Sequence, residues 1–238
     1  MTTTRQPVAK RRLWFMEFYR SAVGKKWVMA VTGLILIGYL LAHMIGNLKM
    51  YIGPESINTY GESLRDLGGH LVPHTHLLWL MRIGLLAVTV LHLYSATTLT
   101  LLNRRSRPDH YDQRQYLVAN YASRTMIWGG IILAAFVLFH LADLTWGVEV
   151  ANPGFERGDA YANLVASFER LPVAIFYIVA NVILGVHLYH GAWSLFQSVG
   201  VTHPRFDPWR RYFAVTVAAV LVIGNVSFPL AVQAGIVG

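Results

Sequence analysis

Five stretches of this 238-residue chain, roughly 26–51, 75–102, 122–146, 171–199 and 211–236, are apolar over about 20 residues or more. Runs of that length cross a bilayer, and a helix is the one single-segment structure that satisfies its own backbone there. Charged residues make up 13% of the chain, against about 25% in soluble domains, so no sizeable soluble domain is left over. We expect an all-α membrane protein. It comprises a basic amphipathic arm over 1–24 and a single five-transmembrane-helix bundle over 25–238. A short helix is expected around 55–66 in the first loop, whereas the mixed-charge loop 147–170 offers only Pro153-Gly154 as a turn signal.

The net charge of +8 does not point to nucleic acid, because the charges sit at the ends of the apolar stretches. The arm together with Lys25 and Lys26 carries seven Lys and Arg, the 103–119 loop four, and 201–211 three. The other side has Lys49, Arg65, Arg157 and Arg170, with Arg82 inside its span. The positive-inside rule then puts the N-terminus in the cytoplasm and the C-terminus outside. The basic start is similar to a signal peptide, but the first apolar run is too long and lacks a cleavage pattern, so it is read as a mature span. Trp14, Phe15, Met16, Phe18 and Tyr19 suit an interfacial helix or a docking surface for a soluble partner. With no Cys, the chain forms no disulfide and cannot alone hold an iron–sulfur cluster.

His43, His92, His140 and His187 lie one per span in four consecutive spans, 49, 48 and 47 residues apart. An ionisable side chain inside a span is costly and faces the bundle interior, usually with a function. At about 1.5 Å rise per residue, His43 and His140 lie roughly 25 Å from the inner face, and His92 and His187 roughly 18–20 Å. Depth therefore favours an outer pair, His43 with His140, and an inner pair, His92 with His187. Facing neutral imidazoles can fill both axial positions of a haem iron, which favours electron transfer. The plain alternative is that each histidine bonds to a neighbouring helix. Zinc would need three or four ligands at one depth. His190, three residues past His187, shares nearly the same face and competes with it as the inner ligand.

Four strings make the chain resemble a known family: Ser21 to Gly33 (SAVGKKWVMAVTG), His43 to Lys49 (HMIGNLK), Tyr121 to Thr125 (YASRT) and His187 to Gly200 (HLYHGAWSLFQSVG). With the four histidines, they resemble the five-helix, two-haem cytochrome b anchor of succinate:quinone oxidoreductase, the cytochrome b558 group of succinate dehydrogenases and similar fumarate reductases. The resemblance spans about 20 to 236. It implies an enzyme subunit of respiratory complex II in the bacterial cytoplasmic membrane. A flavoprotein subunit oxidises succinate, an iron–sulfur subunit passes the electrons on, and this chain reduces a quinone, menaquinone being common. The cofactors implied are two haem b. The outer haem would be held by His43 and His140, the inner by His92 and His187. The family spacing to Gly200 prefers His187 to His190. The expected setting is membrane lipid and quinone, with a higher oligomer of the complex compatible.

Glu62 matches an acidic residue that acts near the outer haem of similar fumarate reductases, and is the candidate quinone proton relay. Tyr60, His76 and Arg82 are candidate quinone neighbours. Arg20, Ser21 and Lys26 are the candidates should quinone bind near the inner face. Arg124 is a candidate for a haem propionate, with snorkelling to headgroups as its alternative. Those fumarate reductases also carry a glutamate two residues before the inner ligand. Here that position is Gly185, which puts a glutamate proton route in doubt. The competing functions are a haem-free structural anchor with a quinone site, and a transporter using histidines as proton relays.

Overall fold

The computed structural model describes residues 14–105 and 118–238, without the side chains of Phe15 and 118–124. The described elements are all helical. They run α1 (Trp14–Arg20), α2 (Ala22–Asn47), a 3₁₀ turn (Leu48–Tyr51), α3 (Pro54–Ser63), a 3₁₀ turn (Gly69–Leu71) and α4 (His76–Arg105). They continue with α5 (Val118–Leu141), a π turn (Ala142–Trp146), α6 (Ala160–Phe168), α7 (Leu171–Ser198), a 3₁₀ turn (Pro204–Phe206) and α8 (Asp207–Gln233). Five helices are long and apolar enough to cross a membrane: Ala22–Tyr51, His76–Arg105, Thr125–Trp146, Leu171–Ser198 and Pro204–Gln233. Several elements differ from the sequence expectation, α2 starting at Ala22 rather than 26 and α5 at Val118 rather than 122. The fifth helix begins at Asp207, earlier than 211, because Pro208 suits a first helical turn. The 147–170 loop contains α6, whose nine residues are too few to show a helical period among polar neighbours.

Local chemistry sets the helix ends. Ser21 stops α1 and starts α2: its Oγ donates to the Phe18 carbonyl and accepts from the Gly24 N–H at 2.9 Å. Gly53, at φ 130°, makes the turn that Pro54 converts into the first position of α3. Gly147, at φ 63°, ends the π turn in the left-handed conformation, and the Val148 N–H returns to the Ala142 carbonyl.

The spans alternate in direction, so α3 and α6 meet at one end of the bundle and α1 lies at the other. At the α1 end, Tyr19 stacks on Tyr94 of α4 with centroids 6.3 Å apart. Trp14, Met16 and Phe18 of α1 remain exposed. At the α3–α6 end, Asn58 donates to Asp159 Oδ1 at 2.9 Å and accepts from the Tyr161 N–H. Asp159 Oδ1 also caps α6 by accepting from the Ala162 N–H. Gln233 closes the same end by donating to the Phe168 carbonyl at 2.6 Å.

Helices α7 and α8 form the largest interface, and α2 packs on α7, α8 and α4. The buried core lies among α2, α7 and α8 and includes Ile37, Met44, Leu188, Ala192, Leu221 and Phe228. Helix α4 turns Leu80, Met81, Ile83, Leu86 and Val90 outward. Such a continuous apolar face is a burden in water and ordinary against lipid tails.

Two outcomes follow. Leu221 has no exposure, so Leu221→Ala opens a cavity costing about 2 kcal/mol, at the low end for core truncation because lipid removes the water-transfer part. Thermal unfolding in detergent checks it. The Ala162 N–H and the Asn58 amide hold the Asp159 carboxyl below its usual value of 3.8. A depressed folded-state value stabilises fully above 3.8 and is lost as pH falls below it. Asp159→Ala removes the cap, costs about 1 kcal/mol, and flattens the acid limb of a stability–pH curve.

Candidate functional site

The four spaced histidines fall on α2, α4, α5 and α7, and all four are half-buried. His43 and His140 lie close to the ends of their helices, on the α3–α6 side. His92 and His187 lie just past the midpoints of α4 and α7. The bundle thus holds histidines at two levels.

At the first level the His43 and His140 rings are edge to face, with centroids 5.8 Å apart. Two metal–nitrogen bonds of about 2 Å and two ring radii of about 1.1 Å sum to about 6 Å, so the separation suits one shared metal ion. Tyr39, one turn before His43, stacks on it at 5.5 Å. At the second level His92 and His190 both lie within electrostatic range of His187. His92 sits over Gly33 of α2, whose missing Cβ would come 3.5 Å from the ring. His187 sits over Gly129 and Gly130 of α5, at 4.0 and 3.8 Å in the same sense. Any side chain longer than Ala at these glycines would enter the space the rings use. His190 packs against Tyr189, with ring centroids 5.1 Å apart. The Nδ1 atoms of both His187 and His190 are buried without a hydrogen-bond partner.

The hydrogen bonds of two histidines fix their tautomers. Thr32 donates its proton to the Val28 carbonyl at 2.7 Å, so toward His92 Nδ1, 3.0 Å away, its oxygen acts as acceptor. Tyr177 donates its proton to Asp143 Oδ2 at 2.7 Å, so toward His140 Nδ1, 3.3 Å away, it also accepts. The tautomer that completes both bonds carries the proton on Nδ1 and leaves the lone pair on Nε2.

Behind His140 lies a polar network that the sequence reading missed. Asp143 has no exposure and sits in the π turn three residues after His140. Its Oδ2 accepts from Ser167 at 2.6 Å and from Tyr177, while its Oδ1 pairs with Arg170 at 3.0 Å. Arg170 also donates to the Ala151 carbonyl. Tyr177 is packed edge-on by Phe136, Phe139 and Phe168. An acid inside an apolar helix was the available signal for Asp143. Its partners on α6 and α7 carried none, because their approach depends on the loop between.

The remaining candidates spread over the α3 end. Tyr60 lies against Gly46, where a Cβ would come 2.6 Å from its ring, and the Lys49 ammonium stands 5.6 Å over its face. Tyr60 and Lys49 line an open groove of about 650 Å³ with Pro54 and Glu55. Tyr60 and Arg82 both come within electrostatic range of Tyr39, beside His43. The Arg82 guanidinium rests over Trp79 at 5.2 Å. Glu62 is exposed and pairs with Arg65 at 2.5 Å. His76 is exposed, its Nδ1 3.1 Å from the His74 carbonyl. Arg20 and Lys26 are exposed and Ser21 is spent on capping. The Arg124 side chain lies outside the described residues. Gly185 is buried against Val222 of α8, and a side chain there would displace that helix, so the position has no room for a glutamate.

No family model, curated protein or solved structure matches the chain. Among the described residues, no group of three or more His, Cys, Asp or Glu side chains is placed to hold a metal ion. His43 and His140 stand as a facing pair, whereas His92 and His190 are both within electrostatic range of His187.

Asp143 supplies the outcome expected at this site. Asp143→Ala leaves Arg170 and two hydroxyls without their acceptor. The cost is about 3 kcal/mol, at the low end for breaking a buried pair because Arg170 keeps 30% exposure. Thermal unfolding beside wild type measures it.

Proposed function

We propose that this chain is a two-haem membrane anchor of succinate:quinone oxidoreductase, passing electrons from an iron–sulfur subunit to a membrane quinone. The observation that carries the reading is the facing of His43 and His140 at one level, with His92 and His187 within electrostatic range of each other at another. His43 and His140 would hold one haem and His92 with His187 the other. When bound, the haems would supply one-electron carriers. For the second pair, His187 is favoured over His190 by its range to His92 and by the room that Gly129 and Gly130 leave before its ring.

The residues of this chain then have separate tasks. Thr32 and Tyr177 contact the His92 and His140 imidazoles at Nδ1, which would leave Nε2 for the metal. Gly33, Gly129 and Gly130 keep side chains out of the space beside the rings. Tyr39, Tyr60 and Arg82 gather beside His43 and give polar contacts for a quinone headgroup. Proton delivery by Glu62 would require its pair with Arg65 to open. The distribution of Lys and Arg supports a cytoplasmic N-terminus, which would set His92 and His187 nearer the electron donor; the bacterial cytoplasmic membrane is the setting the resemblance implies. The exposed apolar face of α1, at that same end, suits the membrane interface beside a docked iron–sulfur subunit.

The reduced-minus-oxidised optical spectrum of the purified protein should show two b-type haems per chain. His43→Ala and His140→Ala should each remove the same one, His92→Ala and His187→Ala the other, and His190→Ala neither. Two low-spin haems persisting in both His43→Ala and His187→Ala would sink the assignment.

A further inference from the structure

The two levels of the bundle support their histidines differently. His92 Nδ1 meets Thr32, a neutral hydroxyl whose proton goes to a backbone carbonyl. His140 Nδ1 meets Tyr177, a hydroxyl whose proton goes to a fully buried carboxylate. Donating its proton to a carboxylate raises the electron density on the Tyr177 oxygen and strengthens it as an acceptor for His140 Nδ1. His140 is therefore more electron-rich than it would be without this dyad.

We propose that Tyr177 and Asp143 are positioning residues for His140 that lower the reduction potential of the haem it would hold. This inference rests on the two-haem reading above. The chain His140–Tyr177–Asp143 spans α5, α7 and the π turn, and Arg170 pairs with its far end, so that the buried carboxyl group is not left without a partner. Hydrogen bonding to a ligand's second nitrogen raises its basicity and stabilises the oxidised metal. Ser167 is the adjusting group. It shares Asp143 Oδ2 with Tyr177, at 2.6 Å against 2.7 Å, so each donor weakens the pull on the other.

The test is a redox titration of the full-length protein in detergent, followed optically and by electron paramagnetic resonance of the two low-spin haems. Tyr177→Phe keeps the ring among Phe136, Phe139 and Phe168 and removes only the oxygen. It should raise the potential of the haem that is lost in His140→Ala by about 59 mV, a tenfold change in a one-electron equilibrium. Ser167→Ala removes the competing donor and should shift the same haem in the opposite direction. Thr32→Val should move only the other haem. Opposite signs from Tyr177→Phe and Ser167→Ala are not expected of residues that merely brace the fold. Unchanged potentials in Tyr177→Phe with both haems bound, or a shift confined to the His92 haem, overturn the proposal and leave the two-haem reading standing. A wild-type preparation without haem overturns both.

Discussion

A carboxylate with no exposure to solvent, set where an apolar helix ends, must be fully partnered or the fold will not keep it. Asp143 meets that condition with four elements at once: the π turn that carries it, Ser167 on α6, Arg170 before α7 and Tyr177 within α7. Those contacts fix how α5 ends, how α6 lies across the end of the bundle, and where α7 begins. His140 is attached to the same network through Tyr177. The geometry of one histidine pair therefore depends on a cluster of polar groups that sits outside it.

The same rule of polar satisfaction sorts the rest of the bundle. Thr32 in α2 uses its own helix carbonyl and the His92 ring. Asn181 donates to the Tyr177 carbonyl one turn before it. At the α3–α6 end, Asn58 and Asp159 tie two short helices together before the chain re-enters the apolar region. Helix α4 is different: it packs mainly on α2 and presents most of its length outward. It carries His92 to the bundle by one face, and its other faces are chemically suited to lipid.

The two groups of histidines have different surroundings. His43 with His140 lies beside a gathering of Tyr39, Tyr60 and Arg82, and His140 is backed by a charged network. His92 with His187 lies deeper along its helices, among glycines and a single threonine. Under the proposed two-haem reading, carriers with these different supports would differ in potential, and the polar groups beside His43 would give a quinone a side to approach. Glu62 is the least connected of the candidates, because it already spends its charge on Arg65 at the surface.

Much of this was legible in the sequence, for a physical reason. Hydrocarbon demands about 20 apolar residues per crossing, so the five spans could be read from composition along the chain. A histidine in such a span is costly enough to stand out, and its position along a helix gives its level to within a turn. What could not be read is whatever depends on how separated segments approach one another. The helix α6 was hidden because nine residues beside a polar loop show no clear period. The Asp143–Tyr177–Arg170 network was hidden because its members are up to 34 residues apart and meet only after the loop folds back. The nearness of Tyr39 to Tyr60 and Arg82 was hidden likewise. The sequence by itself determined a five-span helical bundle with four histidines at two levels. Only the tertiary structure decided which hydroxyl holds which imidazole, because a hydrogen bond needs a partner within about 3 Å and the order of residues does not set that distance.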